Sequence, residues 1–122
     1  MRHRVKSNQL NKERDHARAL VRNLLTSVIL YEKVKTTKRK AKLIQPQVEK
    51  MITLARKTVK GDKQLRETIR KFKQELYDEK ASRKLLEELA PRYADRNSGF
   101  TRIINIGHRA GDAAEMVQLE LI

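Results

Sequence analysis

Three histidines, His3, His16 and His108, and two carboxylate pairs, Asp78-Glu79 and Glu87-Glu88, are the side chains from which acid–base or metal chemistry would have to be built. Their spacing does not build it. The histidines share no metal-ligand interval, and with no cysteine in the chain a zinc site would need at least three other converging ligands. Adjacent carboxylates on a helix point about 100° apart, so neither pair can divide an acid role and a base role between its members. No Gly-x-Ser-x-Gly elbow and no phosphate-cradling Gly-rich loop occurs. The expectation is a protein that is not an enzyme, has no cofactor or metal, and takes no small-molecule substrate.

Binding is the chemistry that these residue types do support. The formal charge is +14 in 122 residues, beyond what solubility asks of a small domain. It is also lopsided: residues 1–60 hold seventeen Lys/Arg against four Asp/Glu, and residues 61–122 hold twelve against eleven. A polyanion is the partner that such a first half implies, nucleic acid before an acidic membrane surface.

The cations fall into groups. Arg14, Arg18 and Arg22 lie four apart and drift about 40° per step, flanking an apolar stripe; they read either as a contact row or as a solvated face. Lys38-Arg39-Lys40 would form the first turn of a helix capped by Thr37, three cations at the positive end of the dipole. That costs some tenths of a kcal/mol per charge unless a phosphate sits there, held by free backbone N–H groups and the cations together. The alternative is good helix formers with solvated tips. The start, MRHRVKSNQL, carries Arg2, His3, Arg4 and Lys6 but only three apolar side chains, too few to order by itself.

Positioning these groups falls to a run of elements. Ala17, Val21, Leu24, Val28 and Tyr31, with Leu20 and Leu25 widening the stripe, predict a helix over about residues 9–31, and Lys33-Val34-Lys35-Thr36 a short strand. A helix from near Lys38 to Lys57 buries Ala41, Ile44, Val48, Met51, Ile52 and Ala55, with a bend near Lys42–Gln45 ahead of Pro46. Gly61-Asp62 is a turn, and Asp62 can cap a third helix with Leu65, Ile69, Phe72 and Leu76 on its apolar face. Ser82 caps a fourth, which Pro91 stops. After Gly99 the period becomes two, giving strands at Phe100–Ile106 and Met116–Ile122 around a loop with His108 and Arg109 at its tip.

The fold class expected is α+β, in the order α-β-α-α-α-β-β, with the helices on one face of a small mixed three-stranded sheet. One domain over residues 1–122 fits the length, residues 1–8 forming a basic tail and 9–122 the folded body. No run of eighteen apolar residues predicts a membrane span, and no apolar stretch follows the basic start as in a secretory signal. Zinc-finger, leucine-zipper and aromatic RNA-platform patterns do not occur, which leaves recognition of phosphate and shape by Arg and Lys.

Several segments then resemble one family. They are MRHR at Met1–Arg4, HARAL at His16–Leu20 with Arg22-Asn23-Leu24, Lys35-Thr36-Thr37, Lys40-Ala41-Lys42 and Ile52-Thr53-Leu54-Ala55. Further on come LAPRYADR at Leu89–Arg96, GFTRI at Gly99–Ile103, RAGDAA at Arg109–Ala114 and the closing LELI. In this order they resemble the bacterial large-ribosomal-subunit protein numbered seventeen. The resemblance implies a structural protein of the cytoplasmic ribosome with a mixed three-stranded sheet, bound to large-subunit (23S) ribosomal RNA on the outer surface near the polypeptide exit. It also implies contact with a neighbouring small large-subunit ribosomal protein. It gives RNA-binding roles to Arg2, His3, Arg4, Lys6, Arg18, Arg22, Asn23, Thr36, Thr37, Lys40, Lys42, Arg102 and Arg109. Asn8, Lys12, Arg14, Lys35, Lys38, Arg39 and His108 join them as candidates from the basic segments themselves. The rival expectation is a free-standing basic nucleic-acid-binding regulator.

Overall fold

A computed structural model describes Leu10 and residues 12–122 of the chain. Helix α1 (Arg14–Tyr31) leads through Glu32 into strand β1 (Lys33–Thr37), and the long helix α2 (Lys38–Val59) follows at once. Helix α3 (Leu65–Glu75) comes next. A helical segment then runs through α4 (Glu79–Lys84), a wide π turn (Leu85–Leu89) and α5 (Ala90–Arg92) before strands β2 (Thr101–His108) and β3 (Glu115–Leu121).

The α+β class and the order of elements are those expected. The sheet is not mixed, however. Its order is β1-β3-β2, and both pairings are antiparallel. The short β2–β3 loop forces one antiparallel pair. A connection of two helices and a helical segment between β1 and β2 then lets β3 insert between them, antiparallel to both. A bulge between Asn105 and Gly107 leaves Ile106 without a partner on β3, and Gly107 takes a φ of 132° that suits glycine.

Strand alternation sorts the sheet into two faces. Val117, Leu119 and Leu121 of β3 are buried and meet Thr36 of β1 and Thr101 of β2 on the inner face. The helices cover that face, with all six predicted residues of α2 in the core beside Leu25, Val28 and Ile29 of α1 and Phe72, Leu85, Leu89 and Phe100. Burying side chains of this size stabilises by roughly 1.5–3 kcal/mol each before entropy is counted.

Several local expectations need correcting, among them the start of α3, whose N-cap is Gln64 and not Asp62. Helix α1 starts at Arg14 rather than near residue 9, because Lys12 and Glu13 are exposed and have nothing to pack against. Its buried stripe runs through Leu25, Val28 and Ile29, and Tyr31 is 71% exposed. Asp78, not Ser82, caps the fourth helix: its Oδ1 accepts from the Lys80 N–H at 2.9 Å, while Ser82 is buried one turn in. Pro91 does not stop that segment but sits in its last turn. The π turn lies directly before it, where a wider turn relieves crowding between the ring and the preceding carbonyl. Helix α2 is continuous through Pro46; Pro46 and Lys42, whose carbonyl loses its donor, are both exposed, so water can satisfy that oxygen.

Candidate nucleic-acid interface

The strand β1 and the start of α2 hold five of the predicted cations, Lys35, Lys38, Arg39, Lys40 and Lys42. Lys33 and Lys35 alternate with Val34 and Thr36, and because Thr36 faces the core both lysines stand exposed on the outer face of the sheet. The pairing aligns Lys33 with Glu120 and Arg102, and Lys35 with Gln118 and Ile104. The strand ends at Thr37, one residue before Lys38. Lys33 and Lys35 thus lead along the chain into Lys38, Arg39 and Lys42 at the start of α2.

Thr37 takes the extended N-cap conformation (φ −69°, ψ 151°), but its hydroxyl makes no capping hydrogen bond. The first-turn N–H groups of α2 are thus left without a side-chain acceptor, and no acidic residue stands in that turn. A shallow hollow of about 320 Å³ opens there, lined by Thr37, Lys38, Arg39, Lys42 and Glu115. Lys38 Nζ lies 3.5 Å from Glu115; Arg39, Lys40 and Lys42 form no ion pair among the described residues. Such a corner has donors, positive charge and room for an anion.

Other predicted residues have work inside the protein. Arg22 turns inward: its Nη2 donates to the Lys73 and Leu76 carbonyls at 2.7 and 2.9 Å, and its guanidinium lies 4.2 Å from the centre of the Tyr77 ring. It thereby satisfies the open carbonyls at the end of α3, beside Thr26, whose Oγ1 accepts from the Tyr77 N–H. Thr36 is buried, so its side chain is not part of any surface. Arg102 pairs with Glu120, whose carboxyl that hydrogen bond holds below its ordinary range, with Gln118 also donating to it.

Arg109 spends its fork on its own loop. Nε and Nη2 donate to the two oxygens of Asp112 at 2.9 and 2.5 Å, and the Ala114 N–H donates to the same carboxylate at 3.2 Å. The Arg109 hydrogen bond is the chief reason that the Asp112 carboxyl lies at about 2. Arg109 and Asp112 thus offset each other's charge at the tip of the β2–β3 loop, with His108 exposed beside it.

Arg14, Arg18 and Asn23 are exposed along α1, and Lys12 is exposed just ahead of it. Arg18 lines a cleft with Gln47, Gln74 and Glu75, on the side of α1 that faces α2 and α3. Arg18 and the β1–α2 corner line different hollows. Arg2, His3, Arg4, Lys6 and Asn8 lie outside the described residues.

Lys33 is the site residue that sequence reading missed, although its two-residue interval from Lys35 was signal enough for a shared face. Ile104, 41% exposed on the same outer face, and Ile106 at the bulge, 49% exposed, add an apolar strip beside the cations. Among the described residues no group of three or more His, Asp or Glu converges as a metal site would, and no helix is long and apolar enough to cross a membrane.

Comparison with known proteins bears on what this surface meets. The family described as Ribosomal protein L17 matches residues 20–122. The large ribosomal subunit protein bL17 of Desulforudis audaxviator is 44% identical over 114 residues, covering 93% of this chain and 96% of its own. Those of Petrotoga mobilis and Fervidobacterium nodosum are each 43% identical, covering 100% of this chain and 97% and 99% of their own. On both the match over residues 20–122 and the identity over nearly full length, the chain belongs to the ribosomal protein L17 family.

Proposed function

We propose that the chain is a structural, non-catalytic component of the large ribosomal subunit in the cytoplasm, where it binds and stabilises 23S ribosomal RNA by phosphate and shape contacts. The observation that carries this reading is the β1–α2 corner. There Lys38, Arg39, Lys40 and Lys42 surround uncapped N–H groups at the positive end of a 22-residue helix. Like charges at that end are unfavourable in the free protein and become favourable when a phosphate enters.

Lys33 and Lys35 extend the contact along the outer face of the sheet, and His108 borders it. Lys12, Arg14, Arg18 and Asn23 serve a second stretch of RNA. Arg2, His3, Arg4, Lys6 and Asn8 supply a basic arm ahead of a folded body of residues 9–122. Arg22, Thr36 and Arg109 contribute to the shape of the interface rather than to phosphate contacts, as their internal bonds imply. A neighbouring small ribosomal protein completes the surroundings.

Sedimentation of the tagged chain from cell extract through a sucrose gradient tests this. The chain should run with the large subunit and remain there at moderate salt. A peak only at the top of the gradient, or protection of a defined duplex DNA site, would instead favour a free-standing regulator.

A further inference from the structure

A cleft of about 610 Å³ between α1, α3 and the α4 segment takes no part in the surfaces described above. Its floor is apolar and open: Leu65 is 54% and Tyr77 51% exposed, with Ile69 and Leu86 half-buried beside them. Covering such side chains is worth about 25 cal/mol for each Å² removed from water.

The walls are of opposite sign. Lys73 stands on the α3 side, and Arg66 and Arg70 continue that side around Leu65 and Ile69. Across the cleft Asp78, Glu79 and Glu87 leave the α4 wall net negative even with Arg83 between them. Among the described residues none of these charges is in an ion pair. The lining sets Asp78, Glu79 and Glu87 against Arg22, Lys73 and Arg83, and Arg22 is already committed to two carbonyls. The cleft thus offers no net positive field for a phosphate backbone, and RNA is the wrong occupant. An extended peptide is wrong as well, because a cleft between helices offers no sheet edge, and its buried backbone groups would go unpaired.

We propose that the cleft docks an amphipathic helix of another protein in the large subunit. Its apolar residues, at intervals of three and four, lie over Leu65, Ile69, Tyr77 and Leu86. Carboxylates on one flank face Lys73, and lysines or arginines on the other face Glu79 and Glu87. From Leu65 to Leu76 the α3 wall runs about 16 Å, which fits two to three turns of helix. The proposal rests on the functional reading above in one respect, that the partner is sought inside assembled large subunits.

The test is site-directed photocrosslinking in purified large subunits, with p-benzoylphenylalanine placed at Leu65 in one preparation and at Arg39 in another. The expected result at Leu65 is a ribonuclease-resistant protein adduct that mass spectrometry maps to a segment with helical apolar spacing. Glu79→Lys with Glu87→Lys should lower its yield about tenfold, equivalent to about 1.4 kcal/mol of binding, and leave the Arg39 crosslink to RNA unchanged. An RNA adduct at Leu65, an adduct within the chain itself, or no adduct overturns the proposal. Loss of the RNA crosslink at Arg39 alone would count against the ribosomal RNA reading and leave the cleft assignment standing.

Discussion

Arg22 and Arg39 carry the same side chain in opposite surroundings. Arg22 closes the end of α3 through two carbonyls and lies against Tyr77, whereas Arg39 is exposed and unpaired among the described residues. Arg22→Ala should therefore destabilise the protein by roughly 1–3 kcal/mol, because the Lys73 and Leu76 oxygens lose their donor. Arg39→Ala should change stability by less than about 0.5 kcal/mol. Urea unfolding midpoints of the two variants check this, and equal losses would refute the division of labour. The sequence does not reveal it, since Arg14, Arg18 and Arg22 share one interval. What separates Arg22 is a helix end that lies more than fifty residues further along the chain. Arg56 is a similar case: its buried guanidinium donates to the Ala94 carbonyl at 3.2 Å and lies 5.7 Å from the centre of the Phe100 ring, which no local pattern foretells.

Among the elements, the end of α1 depends on one residue. Glu32 adopts the left-handed conformation (φ 63°), and its carboxylate accepts from Arg92 at 2.7 and 2.9 Å and from Lys84 at 2.9 Å. Its backbone oxygen accepts from the Leu121 N–H, so α1, the α4 segment and β3 meet there. The Arg92 hydrogen bond, with help from Lys84 and against desolvation, lowers the Glu32 carboxyl from 4.5 to about 2. A folded-state value below the ordinary one means that the stabilisation is present above about pH 4.5 and is lost as pH falls from there towards 2. Glu32→Gln should cost about 1 kcal/mol at pH 7, and the gap should close in melts at pH 4 and pH 2. A gap independent of pH would assign the effect to something other than charge.

Where burial alone decided an element, as on α2 and on β3, periodicity located the right residues. Where a single cap or a proline decided it, as at Asp78 and Pro91, periodicity failed, because two polar residues four apart compete for one helix start and only packing chooses between them. The antiparallel partner of β1 was hidden for a related reason. Its pairing with β3 joins residues about eighty positions apart, which strand patterns do not specify.

On the scale of the whole molecule, the charge asymmetry of the chain becomes a geometry. The cation-rich half supplies α1, β1 and α2, and the β1-β3-β2 order sets β1 at an edge of the sheet, so Lys33 and Lys35 look outward beside the start of α2. Lysines there also discourage edge-to-edge association of the free protein. The near-neutral half provides β2, β3 and the helices that walled off the apolar cleft. Thus the basic surface was legible in composition, and the apolar cleft was not, because its floor combines residues of α3, the α3–α4 link and the π turn that only the fold brings together.

The most direct test replaces the corner itself: Lys38→Ala, Arg39→Ala, Lys40→Ala and Lys42→Ala together, with binding to a 23S ribosomal RNA transcript measured across a range of salt. Each lost phosphate contact should remove about 0.7–0.9 from the log–log slope, so the slope should fall in magnitude by roughly 3. Alanine keeps the helix and relieves the repulsion at its positive end, so the variant should fold with no loss of helical signal. An unchanged slope and affinity in that folded variant would contradict a phosphate-binding corner at the start of α2.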